Sequence, residues 1–259
     1  MQSSGSRFFA ALCSIALAVI AKPSLAEEYT PEQIAAFMGR GKATEVWQPA
    51  PPQVRTGELG SPPSDATVLF GGSNTSSWEA VNGGEIKWQI SNGALQVAPG
   101  SGSIQTREKF SSVQLHLEWR SPSIVQNNGQ DRGNSGVILM ERYEVQILDS
   151  FNNPTYANGQ AASIYKQHIP LVNASKEPGA WQTYDIVFMA PAFDESGQVV
   201  QPATLTVFHN GVLAQNNVSV KGSTTFIGQP SYKAHGAASI VLQDHRSPVQ
   251  YRNIWVRRL

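Results

Sequence analysis

From Ala66 to the C-terminus, the sequence is a succession of short apolar or alternating segments separated by turn residues. The clearest is Val113–Arg120, where Leu115, Leu117 and Trp119 alternate with polar residues, as in a strand with one buried face. No segment of this region has a convincing helical period. Many short strands at close spacing predict an all-β sandwich or jelly roll.

The strand assignment follows from apolar or alternating runs bounded by Gly, Pro, Asn, Asp and Ser. The predicted strands are Thr67–Phe70, Trp88–Ile90, Ala94–Val97, Val113–Arg120, Gly136–Met140, Tyr143–Leu148, Trp181–Met189, Ala203–His209, Val212–Gln215, Ser239–Leu242 and Ile254–Arg257. Two hairpin turns are predicted at Ser91-Asn92-Gly93 and at Asn210-Gly211. His209 adjoins the second turn, and we expect it to be exposed.

Residues 1–26 have the features of a secretory signal peptide. A basic start at Arg7 precedes the apolar run 8–21, and Ser24-Leu25-Ala26 supplies small residues before a cleavage site. We expect export to the periplasm or the cell exterior after cleavage behind Ala26; a retained N-terminal anchor is the alternative. No later run reaches the roughly 20 apolar residues that a membrane-spanning helix needs.

Residues 27–64 differ in composition from the remainder. Thr30 and Pro31 predict the N-cap and first residue of one short helix. Five prolines between residues 49 and 63 follow it and exclude regular structure. We expect a short helix and a proline-rich arm over 27–64, and one jelly-roll domain over 65–259.

Composition narrows the function. The only cysteine, Cys13, lies in the predicted signal, so the mature chain has no disulfide or thiolate chemistry. Formal net charge is zero and charged residues make up 15%, whereas a nucleic-acid-binding protein usually has a basic excess. An uncharged ligand such as a carbohydrate suits this balance better. Zinc-type clusters, phosphate loops and nucleophile elbows are missing from the sequence, which leaves open a metal held by scattered Glu, Asp and His.

The segment 131–150 carries an unusual set of polar side chains. Alternation places Glu144 and Gln146 on one face of a strand and Asp149 on the other; one bulge would bring all three together. The simpler interpretation is the solvated outer face that antiparallel sheets commonly have.

Polar faces recur on other strands, which favours a polar groove over that simpler interpretation. His116, Glu118 and Arg120 share one face, and Gln243 and His245 lie close together near the C-terminus. Such a groove offers carboxylates for acid–base chemistry and amides or guanidinium groups for hydroxyls. Taken singly, the Arg132-to-Gly136 segment is an ordinary turn, Lys166 an ordinary surface residue, and His245 as readily structural as catalytic.

The same segments resemble the 3-keto-disaccharide hydrolase family. The resemblance covers about residues 65–259, and two blocks carry it: RGNSGVILMERYEVQILDS with SIYK, and IVLQDHRSPVQYRNIWVRRL. It implies a concanavalin A-like jelly roll of two antiparallel sheets, and cleavage of glycosides already oxidised to a ketone at sugar carbon 3. One departure stands out: after Gln243-Asp244-His245 the family usually has Gly, whereas this chain has Arg246.

The resemblance also implies roles for individual residues. Glu144 and His245 are expected to be the base and the acid, and Arg132, Lys166 or a divalent cation such as Ca²⁺ or Mn²⁺ to stabilise an enolate. The residues expected to bind substrate are Asn134, Gln146, Gln243 and Asp149. The main rival is a non-catalytic, lectin-like carbohydrate-binding module with the same fold. A third possibility is a structural or adhesive exported domain. The oligomeric state is left open.

Overall fold

The computed structural model describes residues 29–58 and 60–259. The predicted signal peptide, residues 1–26, lies outside these ranges. The chain divides into two units, Met1–Pro52 and Gln53–Leu259. Of the helices in the described ranges, none combines the length and the apolar character needed to cross a membrane.

The described part of the first unit carries one α-helix, α1, over Pro31–Lys42. A capping box opens the helix: Gln33 N donates to Thr30 Oγ1, and Thr30 N donates to the Gln33 side-chain oxygen. These two bonds satisfy backbone donors that a helix start leaves unpaired. The predicted helix with Thr30 as its N-cap is confirmed.

The second unit is built from antiparallel strands. In chain order they are β1 (Thr67–Phe70), β2 (Trp78–Ala80), β3 (Gln89–Ser91), β4 (Ala94–Gln96), β5 (Ile104–Thr106), β6 (Val113–Arg120), β7 (Ser135–Leu139), β8 (Tyr143–Ile147), β9 (Gln182–Met189), β10 (Ala192–Phe193), β11 (Val199–Gln201), β12 (Thr204–His209), β13 (Val212–Ser219), β14 (Val241–Leu242) and β15 (Gln250–Arg258).

Two sheets account for most of these strands. Within the described residues, the larger sheet has eight strands in the order β13-β12-β9-β6-β15-β4-β3, with β1 also paired to β15. The smaller has five, in the order β2-β5-β14-β7-β8, and β10 and β11 form a separate pair. The predicted all-β jelly-roll sandwich of two antiparallel sheets is confirmed. The strands β2, β5, β10 and β11, each of two or three residues, were not predicted.

The core lies between the two sheets. Leu115, Leu117 and Trp119 of β6 belong to one hydrophobic cluster with Val145 and Ile147 of β8, and all five are buried. Full burial of a large apolar side chain contributes roughly 1.5–3 kcal/mol. A core of this extent stabilises a domain that has no disulfides.

Both predicted hairpin turns are present. Asn92 and Gly93 join β3 to β4 with φ values of 51° and 71°, and Asn210 and Gly211 join β12 to β13 with 53° and 77°. Positive φ at both central residues is the requirement of a type I′ turn, which Asn-Gly meets at little cost.

His209, at the end of β12, was expected to be exposed, and this prediction is wrong. Its side chain is fully buried and stacks on Trp119, with Nε2 3.1 Å from Gln182 Oε1. Burial, with a smaller effect from the charge of Lys176, lowers the pKa of His209 to about 4. The imidazole is therefore a neutral part of the core.

One buried hydroxyl ties the two sheets together. Tyr184 of β9 donates to the Gln146 carbonyl of β8 over 2.7 Å and accepts from Ala162 N at 2.8 Å. Ala162 N also donates to the Gln146 carbonyl. The backbone of β8 is thus fixed from the side of the larger sheet.

Replacing Tyr184 with Phe should lower the free energy of unfolding by about 1–2 kcal/mol. The reason is that the change removes one buried hydrogen bond and leaves polar backbone atoms less well satisfied. Urea unfolding of Tyr184→Phe beside the wild type measures the loss, and an unchanged midpoint would contradict it.

Candidate active site

The ionisable side chain that stands out in β8 is Glu144. It is 6% exposed, and none of the ion pairs among the described residues involves its carboxylate. Burial raises the pKa of Glu144 from 4.5 to about 7. Near neutral pH the carboxyl is therefore close to half-protonated, the state suited to taking up or releasing a proton.

Gly136 of β7 provides the space that this carboxyl occupies. Gly136 is paired with Gln146 across the β7–β8 ladder, and Glu144 itself is paired with Ile138, two residues further along β7. A Cβ built on Gly136 would lie 2.5 Å from Glu144 Oε1 and 3.2 Å from Cδ. A side chain at residue 136 is incompatible with the observed position of the carboxyl.

Two chain segments form hydrogen bonds with the backbone of Glu144 in β8. Glu144 N donates to Thr224 Oγ1 over 3.0 Å, and Tyr165 N donates to the Glu144 carbonyl over 3.1 Å. The Tyr165 hydroxyl lies 2.7 Å from that of Tyr156. Burial raises the pKa of Tyr165, with further contributions from Tyr156 and from the negative charge of Glu144. Tyr165 therefore stays a neutral hydroxyl beside the carboxyl.

Gln146 lies next to Glu144 on the same face of β8, as strand alternation predicts. With its NH₂ group turned toward β7, the buried Gln146 amide donates to the Ser135 carbonyl over 3.2 Å and to Glu144 Oε1 over 3.3 Å. A donor at this distance helps to hold the carboxylate when it is ionised.

The loop after β14 runs past the same carboxyl. Gln243 N donates to the Gly136 carbonyl over 3.0 Å, and Ser135 Oγ donates to the Gln243 carbonyl over 2.5 Å. The backbone of Gln243 is thus fixed against β7. Its side-chain Oε1 is buried and has no partner within the described residues. An acceptor in this position is ready for a ligand hydroxyl.

These elements enclose a cavity of about 290 Å³, which we call the Glu144 cavity. It is lined by Asn134, Glu144, Gln146, Tyr165, Thr224, Thr225, Phe226, Gln243 and His245. Five of these residues were predicted from the sequence as site residues: Asn134, Glu144, Gln146, Gln243 and His245. Tyr165, like Lys166, was expected to be an ordinary surface residue, and no sequence signal pointed to residues 224–226.

Two further cavities share lining residues with the first or with each other. The middle cavity, about 540 Å³, is lined by Asn127, Asp131, Asp244, His245, Arg246 and Ser247, and it shares His245 with the Glu144 cavity. The outer cavity, about 420 Å³, shares Asn127, Asp131, Arg246 and Ser247 with the middle one. Small-molecule sites commonly measure roughly 300–1,000 Å³.

Arg132 and Asp149 line the outer cavity rather than the Glu144 cavity. Arg132 Nε donates to Asp149 Oδ2 over 2.8 Å, and its Nη2 donates to the Phe151 carbonyl over 3.0 Å. The predicted bulge does not bring Asp149 to Glu144, because the β7–β8 register runs without a shift to Ile147 and β8 ends there.

Lys166 does not line the Glu144 cavity but contacts Phe226, which does. Its Nζ donates to the Phe226 carbonyl over 2.9 Å and lies 3.9 Å from the centroid of the Phe226 ring. Phe226 itself is 67% exposed and lines the Glu144 cavity. In this arrangement, Lys166 positions the aromatic residue at the rim.

The polar face of β6 belongs to the larger sheet and not to the face that carries Glu144. His116 Nδ1 lies 2.7 Å from Asp185 Oδ1, and Glu118 pairs with Arg252 at 2.6 Å. Of His116, Glu118 and Arg120, only Arg120 lines any of the three cavities, the outer one. The expectation that these faces form one groove with Glu144 is therefore wrong for His116 and Glu118.

The residues expected to hold a cation are not gathered in one place. Among residues 29–58 and 60–259, no three His, Cys, Asp or Glu side chains are grouped so as to hold a metal ion. Glu144 and His245 line one cavity, whereas the Asp149 carboxylate is bound to Arg132 in another.

Comparisons with known proteins bear on the family and the fold of the chain. The sequence model of the 3-keto-alpha-glucoside-1,2-lyase-like domain family matches residues 65–257. A 2.13 Å crystal structure of a provisionally named glycosyl hydrolase from Parabacteroides distasonis ATCC 8503 is 46% identical, with a TM-score of 0.81, covering 84% of this chain and 96% of that one. A second such structure from the same organism, at 1.70 Å, is 20% identical with a TM-score of 0.57, covers 75% of this chain and 94% of that one, and shows the fold alone. No curated protein matches the sequence.

Proposed function

Because the chain belongs to the family of 3-keto-alpha-glucoside-1,2-lyase-like domains, we propose that it cleaves the glycosidic bond of 3-keto-glycosides, 3-keto-disaccharides included. The observation that carries this proposal is Glu144, a buried carboxyl without a cationic partner among the described residues and with a pKa of about 7. A base of this kind matches a substrate with a moderately acidic carbon–hydrogen bond.

A ketone at sugar carbon 3 determines the chemistry. It acidifies the hydrogen on carbon 2, because the electron pair left behind is delocalised onto the carbonyl oxygen as an enolate. When the enolate collapses, a double bond forms between carbons 1 and 2 and the leaving oxygen departs from carbon 1 with a proton. The products are an unsaturated keto sugar and an alcohol. If water then adds across the new double bond, the net reaction is hydrolysis.

The residues of the Glu144 cavity divide these tasks in our proposal. Glu144 removes the proton from carbon 2, and His245, at the opening to the middle cavity, protonates the leaving oxygen. The Tyr165 hydroxyl donates to the enolate oxygen. Hydroxyl groups of the substrate are bound by Asn134, Gln146 and Gln243. Lys166 and Arg132 act indirectly, through Phe226 and Asp149, which they hold.

The test uses the purified protein with the 3-keto derivatives of trehalose and sucrose and with an aryl 3-keto-glucoside. Release of the alcohol, and the absorbance of an unsaturated keto sugar, distinguish elimination from complete hydrolysis. The unoxidised glycosides serve as controls. Cleavage of oxidised substrates alone supports the proposal, whereas binding of unoxidised glucans without any turnover favours the lectin-like module.

We propose separately that the reaction needs a divalent cation, and a separate experiment tests this. The protein is treated with chelator, and Ca²⁺ or Mn²⁺ is then added back. Activity that is lost with chelator and restored by one ion supports a requirement for that cation. Activity that survives thorough chelation contradicts it.

Gly136→Ala should reduce kcat/KM by about 10²-fold while the protein stays folded. The added Cβ would lie 2.5 Å from Glu144 Oε1, so the carboxyl must move, and a displacement of about 1 Å at a catalytic group costs on the order of 10²-fold. The measurement is kcat/KM on an aryl 3-keto-glucoside, with thermal unfolding as the control for folding. Gly71→Ala is the matched variant, because a Cβ there lies at an ordinary 3.5 Å from its nearest neighbour. Equal activity in the two variants would contradict the assignment.

A further inference from the structure

The Gln146 amide lies between the Glu144 carboxyl and a second amide, that of Gln130. Gln130 belongs to a single 3₁₀ turn, Gly129–Asp131, in the loop between β6 and β7. One terminal atom of the Gln146 amide lies 3.2 Å from Gln130 Oε1. The other lies 3.3 Å from Glu144 Oε1 and 3.2 Å from the Ser135 carbonyl oxygen. Oxygen atoms therefore face both ends of this buried amide.

The orientation of the Gln130 amide is fixed by its own donor group. Gln130 Nε2 donates to the Gly159 carbonyl over 2.9 Å and to Thr155 Oγ1 over 3.1 Å. Because a carbonyl oxygen only accepts, the NH₂ group has to face Gly159. The turn is held in place by bonds of 2.8 and 2.9 Å between its backbone and the Asn153 side chain. Gln130 therefore presents a fixed acceptor, Oε1, to Gln146.

The Gln146 amide has one NH₂ group for the acceptors at its two ends. When this group faces β7, it donates to Glu144 and Ser135, and the amide oxygen then meets Gln130 Oε1 at 3.2 Å. When it faces Gln130, it donates to Gln130 Oε1, and the amide oxygen then meets Glu144 Oε1 at 3.3 Å. The first orientation suits an ionised Glu144. The second suits a protonated one, whose hydroxyl can donate to the amide oxygen.

Gln130 favours the protonated state of Glu144. In the second orientation the three side chains form a chain, in which Glu144 donates to Gln146 and Gln146 donates to Gln130. Ionisation breaks both bonds, reverses the amide and leaves Gln130 Oε1 against another acceptor, which costs free energy in a buried place. The reversal itself is easy, because rotation about the last side-chain bond of glutamine is soft. The preference acts in the same direction as burial, which raises the pKa of Glu144.

Other ionisable groups near this carboxyl act independently of Gln130. Neither β7 nor segment 224–226 carries an ionisable side chain. Those on the remaining segments packed against β8 near Glu144 are Tyr165, Lys166, Asp244 and His245. Within the described part of the chain, the hydrogen bonds of Gln130 reach none of these four. A change at Gln130 therefore acts on Glu144 through the Gln146 amide.

We propose that Gln130 is a positioning residue for the base: its fixed oxygen makes the Gln146 amide reverse when Glu144 gains or loses a proton, and favours the protonated carboxyl. The role in catalysis rests on the proposed function, in which Glu144 takes the proton from carbon 2. As that proton arrives, the amide reverses and the bond from Gln146 to Gln130 forms. Gln130 thus strengthens the base although it lines none of the three cavities.

Gln130→Met tests the proposal, since methionine has a similar shape and no acceptor oxygen. The ionisation of Glu144 is followed by ¹³C NMR of labelled side-chain carboxyls between pH 4 and 9, with the signal assigned by its absence from Glu144→Gln. We expect the midpoint to fall by about one pH unit, the effect of one lost hydrogen bond. An unchanged or higher midpoint would overturn the proposal.

Two further variants separate the acceptor from general loosening of the turn. Thr155→Val removes one partner of the Gln130 NH₂ group and leaves Oε1 in place, so its midpoint should equal that of the wild type. Gln130→Glu retains an acceptor oxygen toward Gln146, so its midpoint should not fall. Equal shifts in Gln130→Met and Thr155→Val would show that loosening alone is responsible and would overturn the proposal.

The wild type offers a measurement that needs no variant. Below the midpoint, nuclear Overhauser effects from the Gln146 NH₂ protons should reach the Gln130 side chain, and above it they should reach Ser135. The same partner on both sides of the midpoint would contradict the reversal.

Kinetics separate this proposal from the proposed function. Where an aryl 3-keto-glucoside is cleaved, the acid-side break in kcat/KM for Gln130→Met should move down by the same amount as the NMR midpoint, and that for Thr155→Val should not move. A break that stays at the wild-type pH would overturn the role in catalysis. A lowered NMR midpoint in a protein that cleaves no 3-keto-glycoside supports the action of Gln130 on Glu144 and contradicts the proposed reaction alone.

Discussion

Glu144→Gln is expected to lower kcat/KM for 3-keto-glycosides by about 10²–10⁴-fold, the range usual for loss of a general base. The amide matches the carboxyl in shape and cannot accept the proton from carbon 2. Its neighbours Gly136 and Gln146 keep their places, so substrate binding should change little. The comparison is made by initial rates on an aryl 3-keto-glucoside, whose leaving group is detected directly.

Glu141→Gln is the matched control for this substitution. Glu141 lies three residues earlier, in the turn between β7 and β8, and its Oε1 accepts from Ser239 N over 3.0 Å. Glutamine retains that acceptor, and Glu141 lines none of the three cavities. We expect its kcat/KM to stay within about twofold of the wild type. Similar rates for Glu144→Gln and the wild type would remove Glu144 from the mechanism.

The dependence of the rate on pH adds a second readout of the same residue. A base acts in its ionised form, so on the acid side of the profile kcat/KM should fall about tenfold per pH unit below the pKa of about 7. An exposed glutamate would give the same break near pH 4.5. A profile that is flat from pH 5 to 8 would contradict the assignment.

Glu144→Gln should also make the protein more stable than the wild type at alkaline pH. The folded-state pKa of Glu144 lies above its ordinary value of 4.5, at about 7, so the folded protein binds the proton more tightly than the unfolded chain does. The contribution to stability is complete below pH 4.5 and is lost as the pH rises toward 7. One pKa unit corresponds to about 1.4 kcal/mol, so the loss amounts to about 3 kcal/mol.

Glutamine carries no charge at any of these pH values, so the variant avoids the free-energy cost of a buried carboxylate. The free energy of unfolding of Glu144→Gln should therefore match that of the wild type near pH 4.5 and exceed it by about 3 kcal/mol at pH 8. Urea unfolding at half-unit pH intervals follows the difference, with Glu141→Gln beside it. A variant that is less stable than the wild type at pH 8 would show that Glu144 is structural. A gain in stability paired with a loss of activity is typical of catalytic groups.

The features predicted correctly from the sequence are those that local interactions determine. The strand β6 follows from its alternation, and the two Asn-Gly turns follow from the positive φ that a type I′ hairpin requires. The neighbouring positions of Glu144 and Gln146 follow from the period of a strand. These features depend on residues within a few positions of one another.

Features that depend on contacts between residues distant in sequence could not be predicted from local patterns. Asp149 follows the end of β8 and binds Arg132, a choice that depends on where the preceding loop runs. Lys166 lies next in sequence to the cavity residue Tyr165, yet its ammonium group contacts Phe226, sixty residues away. His209 adjoins a turn, but the packing of β9 and β12 places its side chain in the core.

The room left by Gly136 has an evolutionary consequence. The three atoms nearest to a Cβ added at Gly136 all belong to the Glu144 side chain, so alanine there disturbs that carboxyl first. On the proposed mechanism, a descendant with alanine at this position would keep the lining of the cavity and lose the placement of the base. Among chains with the same chemistry we therefore expect glycine at the β7 position that pairs with the residue two after the β8 glutamate.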